Sequence, residues 1–368
     1  MQLRGRKQAI TAGGAVVAVA LLAACSSNSS SSAPSSSGSS SSASSSASTS
    51  TASGTINAAG STFQTNFQQA AISAFKSVDP SATVNYDPVG SGTGRQDLYG
   101  NTVLIAGSDS PVPAKEQASL KGKAILYFPV QIGPIALAYN LQGITGLKLD
   151  ATTLSGIFQG TITTWDDPAI KALNPGVNLP STKITLAVRS DSSGTTQNFS
   201  QYLVDAAGSS WKLGTASTIT WPSTARAGDG GSGVAQIVKS TPGAIGYVDF
   251  STATASGLSA ASIKNSAGDF VAPSSAGATA AASHVTPKSD LTFVTADEPG
   301  ATSYPVTYQS WDIVYKNQPN ANDVALIKAY IGYLLSSQGQ ALLTPLNLAP
   351  LPPSIDSAAV AQLSQLTS

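Results

Sequence analysis

The chain has 368 residues, and 19 Lys and Arg balance 19 Asp and Glu, so that charged residues make up only 10% of it. Nucleic-acid binding needs a basic face that neutralises several phosphates, and so sparse and balanced a charge sets that class aside. One Cys and one His leave almost no soft ligands for a zinc or copper site, nor a base for a Ser-His-Asp hydrolase. We therefore expect no metal, no cofactor and no nucleic-acid partner.

The N-terminus has the pattern of an export signal. Arg4, Arg6 and Lys7 precede an apolar stretch over residues 10–24, which is followed by Cys25. The stretch is shorter than the roughly 20 residues that span a bilayer, and small residues suited to cleavage end it. We predict a removed signal peptide over residues 1–24. Cys25 is the only cysteine, which excludes an internal disulfide. Its thiol is either covalently modified or left free.

A Ser-rich segment follows, over residues 25–53, with scattered Ala, Thr, Gly and Pro. Such a composition is too polar and too small to pack, and it predicts a disordered tether. The chain after it is long enough for two domains of ordinary size.

From residue 54 onward, short apolar strands alternate with amphipathic helices, which indicates an α/β fold with helices covering mostly parallel sheets. Phe63, Phe67, Ala71, Ala74 and Phe75 follow the 3.6-residue period of a helix. The other predicted elements, in chain order, are strands over 55–59, 83–86 and 103–106, an extended run over 125–141, a strand over 184–188, and helices over 198–206 and 323–335.

Three predicted strand-to-helix junctions combine Gly with hydroxyl residues. The first backbone N–H groups of a helix have no internal acceptor, so such junctions attract anions. For any one of them, an ordinary N-cap is the alternative interpretation. The three segments are Gly60-Ser61-Thr62-Phe63, Gly90-Ser91-Gly92-Thr93-Gly94 and Arg189-Ser190-Asp191-Ser192-Ser193-Gly194-Thr195-Thr196.

The third junction adds charge. The fork of Arg189 suits a tetrahedral oxyanion, and Asp191 could hold that fork in place or simply cap the helix. Asp109 stands at the end of another apolar run, in Gly107-Ser108-Asp109-Ser110-Pro111, where a plain turn is the alternative. The segment Gly90 to Arg95 matches neither a P-loop nor a dinucleotide fingerprint. His284, in the Ala/Ser/Thr-rich stretch 280–286, is predicted to lie in a surface loop.

Taken in order, these four motifs resemble the phosphate-binding component of bacterial phosphate ABC transporters, and Leu22-Ala23-Ala24-Cys25 resembles the lipobox of bacterial lipoproteins. The resemblance extends from about Gly54 to the C-terminus. It implies a two-lobed, periplasmic-binding-protein-like (type II) α/β fold that holds a dehydrated phosphate in the cleft and is not an enzyme. The phosphate ligands that it implies are Thr62, Phe63, Ser91, Asp109, Arg189, Asp191, Ser193, Gly194 and Thr195, with no role assigned to Ser61 or Arg95.

The resemblance also implies the organisation and setting of the protein. Lobe I would comprise residues 54–128 and 304–368, and lobe II residues 129–303, joined by crossovers near Phe128-Pro129 and Ser303-Tyr304. Diacylated Cys25 would anchor a monomer to the outer face of the cell membrane, where it would serve a permease of two subunits with an ATPase. The alternatives are a receptor for sulfate or molybdate, a secreted phosphatase or serine hydrolase that uses Ser193 or Ser91, and a surface sensor or adhesin that has lost transport.

Overall fold

This computed structural model describes residues 53–368, so the predicted signal peptide, Cys25 and the tether up to residue 52 lie outside the described residues. The strands are β1 (Gly54–Gly60), β2 (Ala82–Asp87), β3 (Ile105–Ser108), β4 (Ile125–Tyr139), β5 (Lys148–Leu149), β6 (Thr185–Arg189), β7 (Arg226–Gly228), β8 (Ala244–Asp249), β9 (Ser259–Ala260), β10 (Ser262–Lys264), β11 (Phe270–Val271) and β12 (Thr307–Tyr315). The α-helices are α1 (Thr65–Val78), α2 (Ser91–Tyr99), α3 (Ala151–Gln159), α4 (Pro168–Leu173), α5 (Gly194–Ala207), α6 (Gly230–Ser240), α7 (Phe250–Ala255), α8 (Ser275–Ala282), α9 (Ala321–Leu335), α10 (Ser337–Ala341) and α11 (Pro353–Gln362).

The helices form where apolar spacing and capping agree. In α1, Phe67, Ala71 and Phe75 recur every four residues and are buried on one face, as their period predicts. Asn320 caps α9 by accepting a hydrogen bond from the backbone N–H of Asp323. The α/β interpretation of the sequence is therefore confirmed. The expectation of mostly parallel sheets was wrong in part, because β12 pairs antiparallel with β3 and β4, and β4 pairs antiparallel with β8.

A nine-stranded sheet runs in the order β2-β1-β3-β12-β4-β8-β6-β7, with β9 attached to β4. Strands β1, β2 and β3 are parallel to one another, as are β6, β7 and β8. A separate three-stranded sheet has the order β11-β10-β5. Helices α1, α2 and α9 pack against β1, β2 and β3, and helices α5 and α6 pack against β6, β7 and β8.

The long strand β4 connects two groups of strands. It pairs with β12 over residues 125–134, and it pairs with β8 over residues 135–139. All but its first residue are buried, which explains why it reads as an unbroken apolar run rather than an alternating one. The loops that follow β1 and β2 on one side, and β6 on the other, are the three predicted anion-binding junctions, and the loop after β3 carries Asp109.

Several predicted boundaries were wrong by a few residues, and three of them have a local cause. Strand β3 begins at Ile105 rather than Val103, because Asn101 adopts a left-handed conformation and the chain is still turning out of α2. Helix α5 begins at Gly194 rather than Asn198, because Ser193 caps it. The loop predicted over residues 280–286 starts with the last turn of α8, since its alanines strongly favour helix.

His284 follows α8 and is exposed, in agreement with its assignment to the surface. Within residues 53–368, no helix has the length and apolar character needed to cross a membrane. The same residues contain no cluster of three or more His, Cys, Asp or Glu side chains able to hold a metal ion.

Candidate functional site

The site forms where the carboxyl ends of β1, β2 and β3 meet the N-terminus of α5. Ligands of open α/β sheets generally bind outside the carboxyl ends of the strands. Ser61 follows β1, Ser91 starts α2 after β2, and Asp109 directly follows β3. All three side chains are almost completely buried, and the fold brings both serine hydroxyls into hydrogen-bonding contact with the Asp109 carboxylate.

Asp109 is the centre of this cluster. Its Oδ1 accepts hydrogen bonds from Ser61 Oγ at 2.5 Å and from Ser310 Oγ at 2.7 Å. Among the described residues, the hydrogen-bonding contact of its Oδ2 is a long one of 3.4 Å from Ser91 Oγ. Burial raises the pKa of Asp109 to about 6, although the three hydroxyl donors and the positive charge of Arg189 act in the opposite direction. Asp109 is therefore an acceptor of hydrogen bonds near neutral pH.

The third junction supplies the positive charge. Arg189 Nε and Nη2 donate to the two carboxylate oxygens of Asp191, at 2.6 and 2.5 Å. Burial alone would lower the pKa of Arg189, but the hydrogen bonds and the charge of Asp191 outweigh it and raise the pKa. Its Nη1 points elsewhere, with Thr195 Oγ1 at 3.5 Å. Asp191 thus orients the fork of Arg189 and leaves one nitrogen directed toward the start of α5.

The start of α5 lies against Asp109. Ser193 caps the helix by accepting from the backbone N–H of Thr196 at 3.1 Å. A methyl group added to Gly194 would lie 2.6 Å from Asp109 Oδ2 and 2.5 Å from Ser91 Oγ. Because Gly194 and Thr195 form the first turn, their N–H groups have no acceptor within the helix. Asp109 Oδ2 therefore lies against the first turn of α5.

Backbone and amide contacts join the two sides of the site. Gly92 N–H donates to the carbonyl oxygen of Ser192 at 2.9 Å, so the second and third junctions touch directly. Asn198 Nδ2, on α5, donates to the backbone carbonyl of Asp109 at 2.6 Å. The predicted ligands from both groups of strands are therefore assembled around Asp109.

Two of the predicted residues sit at the margin of this cluster. Phe63 is buried and its ring stacks on Tyr308, but its backbone N–H donates to Ser61 Oγ at 3.1 Å. Thr62 is only partly buried and lines a cavity of about 300 Å³ together with Asp229 and Gly230 at the start of α6. Within residues 53–368, the side chains of Thr62 and Phe63 make no hydrogen bond to Asp109.

Sequence reasoning missed the residues that hold Asp109 in place. Ser61, to which no role was assigned, donates to its carboxylate. Ser310 and Gln309 come from β12, and Gln309 Nε2 donates to Asn198 Oδ1 at 3.0 Å behind the Asp109 carbonyl. Strand β12 was not predicted from the sequence, and the contacts of its residues could not be foreseen, because they depend on the pairing of strands about 200 residues apart in the sequence.

Arg95, also left without a role, is fully buried and pairs with Glu116 at 2.9 Å. Its Nη1 donates to Ser108 Oγ at 2.9 Å, next to Asp109. Arg95 therefore fastens α2 to the segment that carries Asp109, and its guanidinium is occupied by these partners.

Comparisons with known proteins show which family the chain resembles. Residues 45–338 match the PBP superfamily domain. The chain is 35% identical to the phosphate-binding protein PstS 3 of Mycobacterium leprae over 315 residues, covering 82% of this chain and 84% of that protein. It is 34% identical to the phosphate-binding protein PstS of Pasteurella multocida over 309 residues, covering 82% of this chain and 88% of that protein. Its fold is similar to that of a high-affinity periplasmic phosphate-binding protein, PfluDING, solved with phosphate, with a TM-score of 0.72 and 22% identity over 84% of this chain and 94% of the other.

Proposed function

The chain belongs to the PstS family of phosphate-binding proteins, and from that premise we propose that it binds inorganic phosphate outside the cell membrane and delivers it to an ABC importer. The observation that carries the proposal is the buried carboxylate of Asp109, which faces the N-terminus of α5 beside the Arg189–Asp191 pair. The helix N-terminus and the arginine favour an anion, whereas the carboxylate favours one that still carries a proton.

Phosphate keeps a proton near neutral pH, and sulfate does not. A carboxylate that can only accept gains a charge-assisted hydrogen bond from phosphate, while the same oxygen faces an unpaired, repelling oxygen of sulfate. Specificity of this kind arises from a mismatch with the wrong ligand as much as from a match with the right one. The arrangement thus favours phosphate over sulfate or molybdate.

We assign the ligand contacts to the residues that the family resemblance implied. Ser91, Gly194 and Thr195 would donate to the phosphate oxygens together with Thr62, while Ser193 would shape the start of α5. The Phe63 N–H, which the resemblance also implied as a donor, is committed to Ser61 Oγ and would hold that serine in place. Arg189 would supply charge, with Asp191 as its support. Asp109 would accept the hydrogen bond that the ligand's proton donates.

Binding by closure of two lobes follows from the same assignment. We keep the predicted division, with lobe I at residues 54–128 and 304–368 and lobe II at residues 129–303. The contacts that support a closing cleft are Gly92 to Ser192 and Asn198 to Asp109, which join loops on opposite sides of it. The hinge would lie along β4, whose pairing partner changes within the strand.

Calorimetric titration of the purified chain with phosphate and with sulfate tests this function. We expect saturable binding of phosphate and much weaker binding of sulfate above pH 7. Equal affinities would favour a general oxyanion receptor, and the absence of phosphate binding would refute the proposal. Hydrolysis of a phosphate ester or a carboxylic ester would instead support an enzyme that uses Ser193 or Ser91; the named relatives are binding proteins.

We propose further that diacylated Cys25 anchors a monomer to the extracytoplasmic face of the cell membrane, because one acyl chain gives only marginal binding and two give stable binding. The partner would be a permease of two subunits with its ATPase. A Cys25→Ala change should release the protein from the membrane fraction without altering its affinity for phosphate. Retention of the variant in the membrane would contradict the anchor, and a transport assay with the permease would separate an importer component from a surface sensor.

A further inference from the structure

We propose that Ser310, acting with Ser61, determines the anion specificity of the site by holding one oxygen of Asp109 and leaving the other as the acceptor for the ligand's proton. Ser310 lies outside every motif that the sequence pointed to. The inference rests on the proposed phosphate-binding function, because it assigns a task to each oxygen of the carboxylate in that site. It makes Ser310 a positioning residue, which acts on the ligand through Asp109.

The direction of the hydrogen bond from Ser310 follows from its neighbours. Gln64 Nε2 lies 3.0 Å from the carbonyl oxygen of Trp311, which can only accept, so this end of the side chain is the amide NH₂. The same NH₂ donates to Ser310 Oγ at 2.8 Å. The hydroxyl proton of Ser310 is therefore free to be donated, and Asp109 Oδ1 at 2.7 Å is a closer acceptor than the Ser108 carbonyl at 3.4 Å.

The same reasoning fixes Ser61. Its Oγ accepts from the backbone N–H of Phe63 at 3.1 Å, and that N–H can only donate. The hydroxyl proton of Ser61 is therefore directed to Asp109 Oδ1 at 2.5 Å. A carboxylate oxygen offers about two lone-pair sites, so the two serines fill those of Oδ1.

Oδ2 is left with spare accepting capacity. Its contact with Ser91 Oγ is 3.4 Å long, beyond the usual range for a hydroxyl donor. Ser91 Oγ also accepts from the backbone N–H of Asp109 at 3.2 Å. Oδ2 faces Gly194, where the free N–H groups of α5 would hold the other oxygens of an anion. A proton on that anion would have Oδ2 as its acceptor.

Strand pairing explains why Ser310 is in this position. β12 runs antiparallel to β3, with Trp311 opposite Ser108 and Asp312 opposite Gly107. The residue before Trp311 on β12 is Ser310, and the same antiparallel register brings it opposite Asp109. On its other side, β12 has a register irregularity against β4 between Ser310 and Trp311, and irregularities of this kind often re-aim a side chain beside a functional site.

The charges around Asp109 make the effect of Ser310 depend on pH. The groups that interact electrostatically with the carboxyl are the Arg189 guanidinium at the end of β6, the Asp249 carboxyl at the end of β8, and the phenols of Tyr86 and Tyr308 on β2 and β12. The hydrogen bond from Ser310 lowers the pKa of Asp109 against burial, which raises it to about 6. Loss of this donor should raise the pKa further. A protonated carboxyl can donate to sulfate, so discrimination would then be lost at a higher pH.

The test is a Ser310→Ala change in the full chain, with phosphate and sulfate titrated by calorimetry between about pH 5 and pH 8.5. Sulfate is the cleaner probe because its own protonation is constant over this range. We expect the preference for phosphate over sulfate to fall about tenfold near pH 7, the size of one lost hydrogen bond to a charged group, and sulfate binding to persist to higher pH. Ser310→Thr, which keeps the hydroxyl, should restore both properties. Thr307→Val, which removes another buried hydroxyl from β12, serves as the matched control and should change neither.

An unchanged preference and an unchanged pH profile in Ser310→Ala, with phosphate still bound, would overturn the role of Ser310. If the parent chain itself fails to bind phosphate, the proposed function fails instead, so the two failures are distinguishable. Should Ser310→Ala not fold, Ser61→Ala removes the other donor to the same oxygen and must shift the sulfate profile in the same direction.

Discussion

Replacement of Asp109 by Asn probes the site most directly, because the structure determines how the new amide must sit. Ser61 and Ser310 both donate to Oδ1 at 2.5 and 2.7 Å. An NH₂ group in that place would put donor against donor, so the amide carbonyl will occupy the Oδ1 position. The NH₂ group will then replace Oδ2 and face the start of α5. One substitution thus turns the acceptor that meets the ligand into a donor while the other contacts persist.

The expected size follows from the hydrogen bonds exchanged. Phosphate loses a charge-assisted bond worth about 1.5–3 kcal/mol but can turn an unprotonated oxygen toward the new donor. Sulfate gains the amide NH₂ group as a hydrogen-bond donor and no longer faces the repelling Oδ2 of the carboxylate. We expect the ratio of the sulfate to the phosphate dissociation constant to fall by on the order of 100-fold, equivalent to about 2.7 kcal/mol. Since the amide does not titrate, sulfate binding should also lose its dependence on pH between about pH 5 and pH 8.

Calorimetric titration with both anions measures the ratio, and Asp79→Asn provides a control. Asp79 is also buried and accepts from Ser81 at the end of α1, away from the cleft. The control should leave the ratio and its pH dependence unchanged. If Asp109→Asn rejects sulfate as strongly as the parent chain does, the carboxylate does not read the ligand's proton, and its role is structural.

Three further outcomes are expected. Arg189→Ala should weaken phosphate and sulfate binding alike, by tenfold or more in titrations, because the guanidinium contributes charge without reading protonation; a selective loss of one anion would contradict this. Gly194→Ala should lower phosphate affinity at least tenfold, since the added methyl would lie 2.6 Å from Asp109 Oδ2. Gly332→Ala within α9 is the control: its methyl meets only an ordinary contact at 3.6 Å, so binding should remain intact. Burial raises the pKa of Asp312 from 3.8 to about 7. Between these two pH values the folded chain keeps a proton that the unfolded chain releases, so the stability of the fold decreases as the pH rises. Through this carboxyl, the free energy of unfolding of the parent chain should fall by about 2–3 kcal/mol between about pH 5 and pH 8. Asp312→Asn should abolish that fall, as measured by urea unfolding. An unchanged dependence of the unfolding free energy on pH would refute the buried-carboxyl explanation.

The features that the sequence predicted well are those whose cause is local. A buried helical face repeats every three or four residues, as in α1, and a strand buried on both faces reads as an apolar run, as in β4. The strand-to-helix junctions were recognisable for the same reason, because glycine and hydroxyl residues next to a helix start act through their own backbone, and their binding of an anion stays a prediction. Boundaries were less certain, since the start of α5 depends on one cap, Ser193.

The features that escaped prediction depend on strand register. No local pattern marks Ser310, which lies between Gln309 and Trp311 in a strand whose residues are all buried. Its value to the site comes from the pairing of β12 with β3, which aligns residues about 200 positions apart. Gln64 likewise looks like an ordinary residue after a helix cap, yet it fixes the direction in which the Ser310 proton points.

This division explains why a carboxylate could be predicted from the sequence while the difference between its two oxygens could not. The motif around Asp109 supplies the chemical group, and the loop after β3 supplies its place. The inequivalence of Oδ1 and Oδ2 is a tertiary property, because Ser61 and Ser310 approach one oxygen from β1 and β12 while Gly194 leaves the other open from α5. A relative that keeps the Asp109 motif but lacks a hydroxyl at the position of Ser310 should therefore bind phosphate with weaker exclusion of sulfate, and comparison of such a pair by titration would separate the motif's contribution from that of the fold.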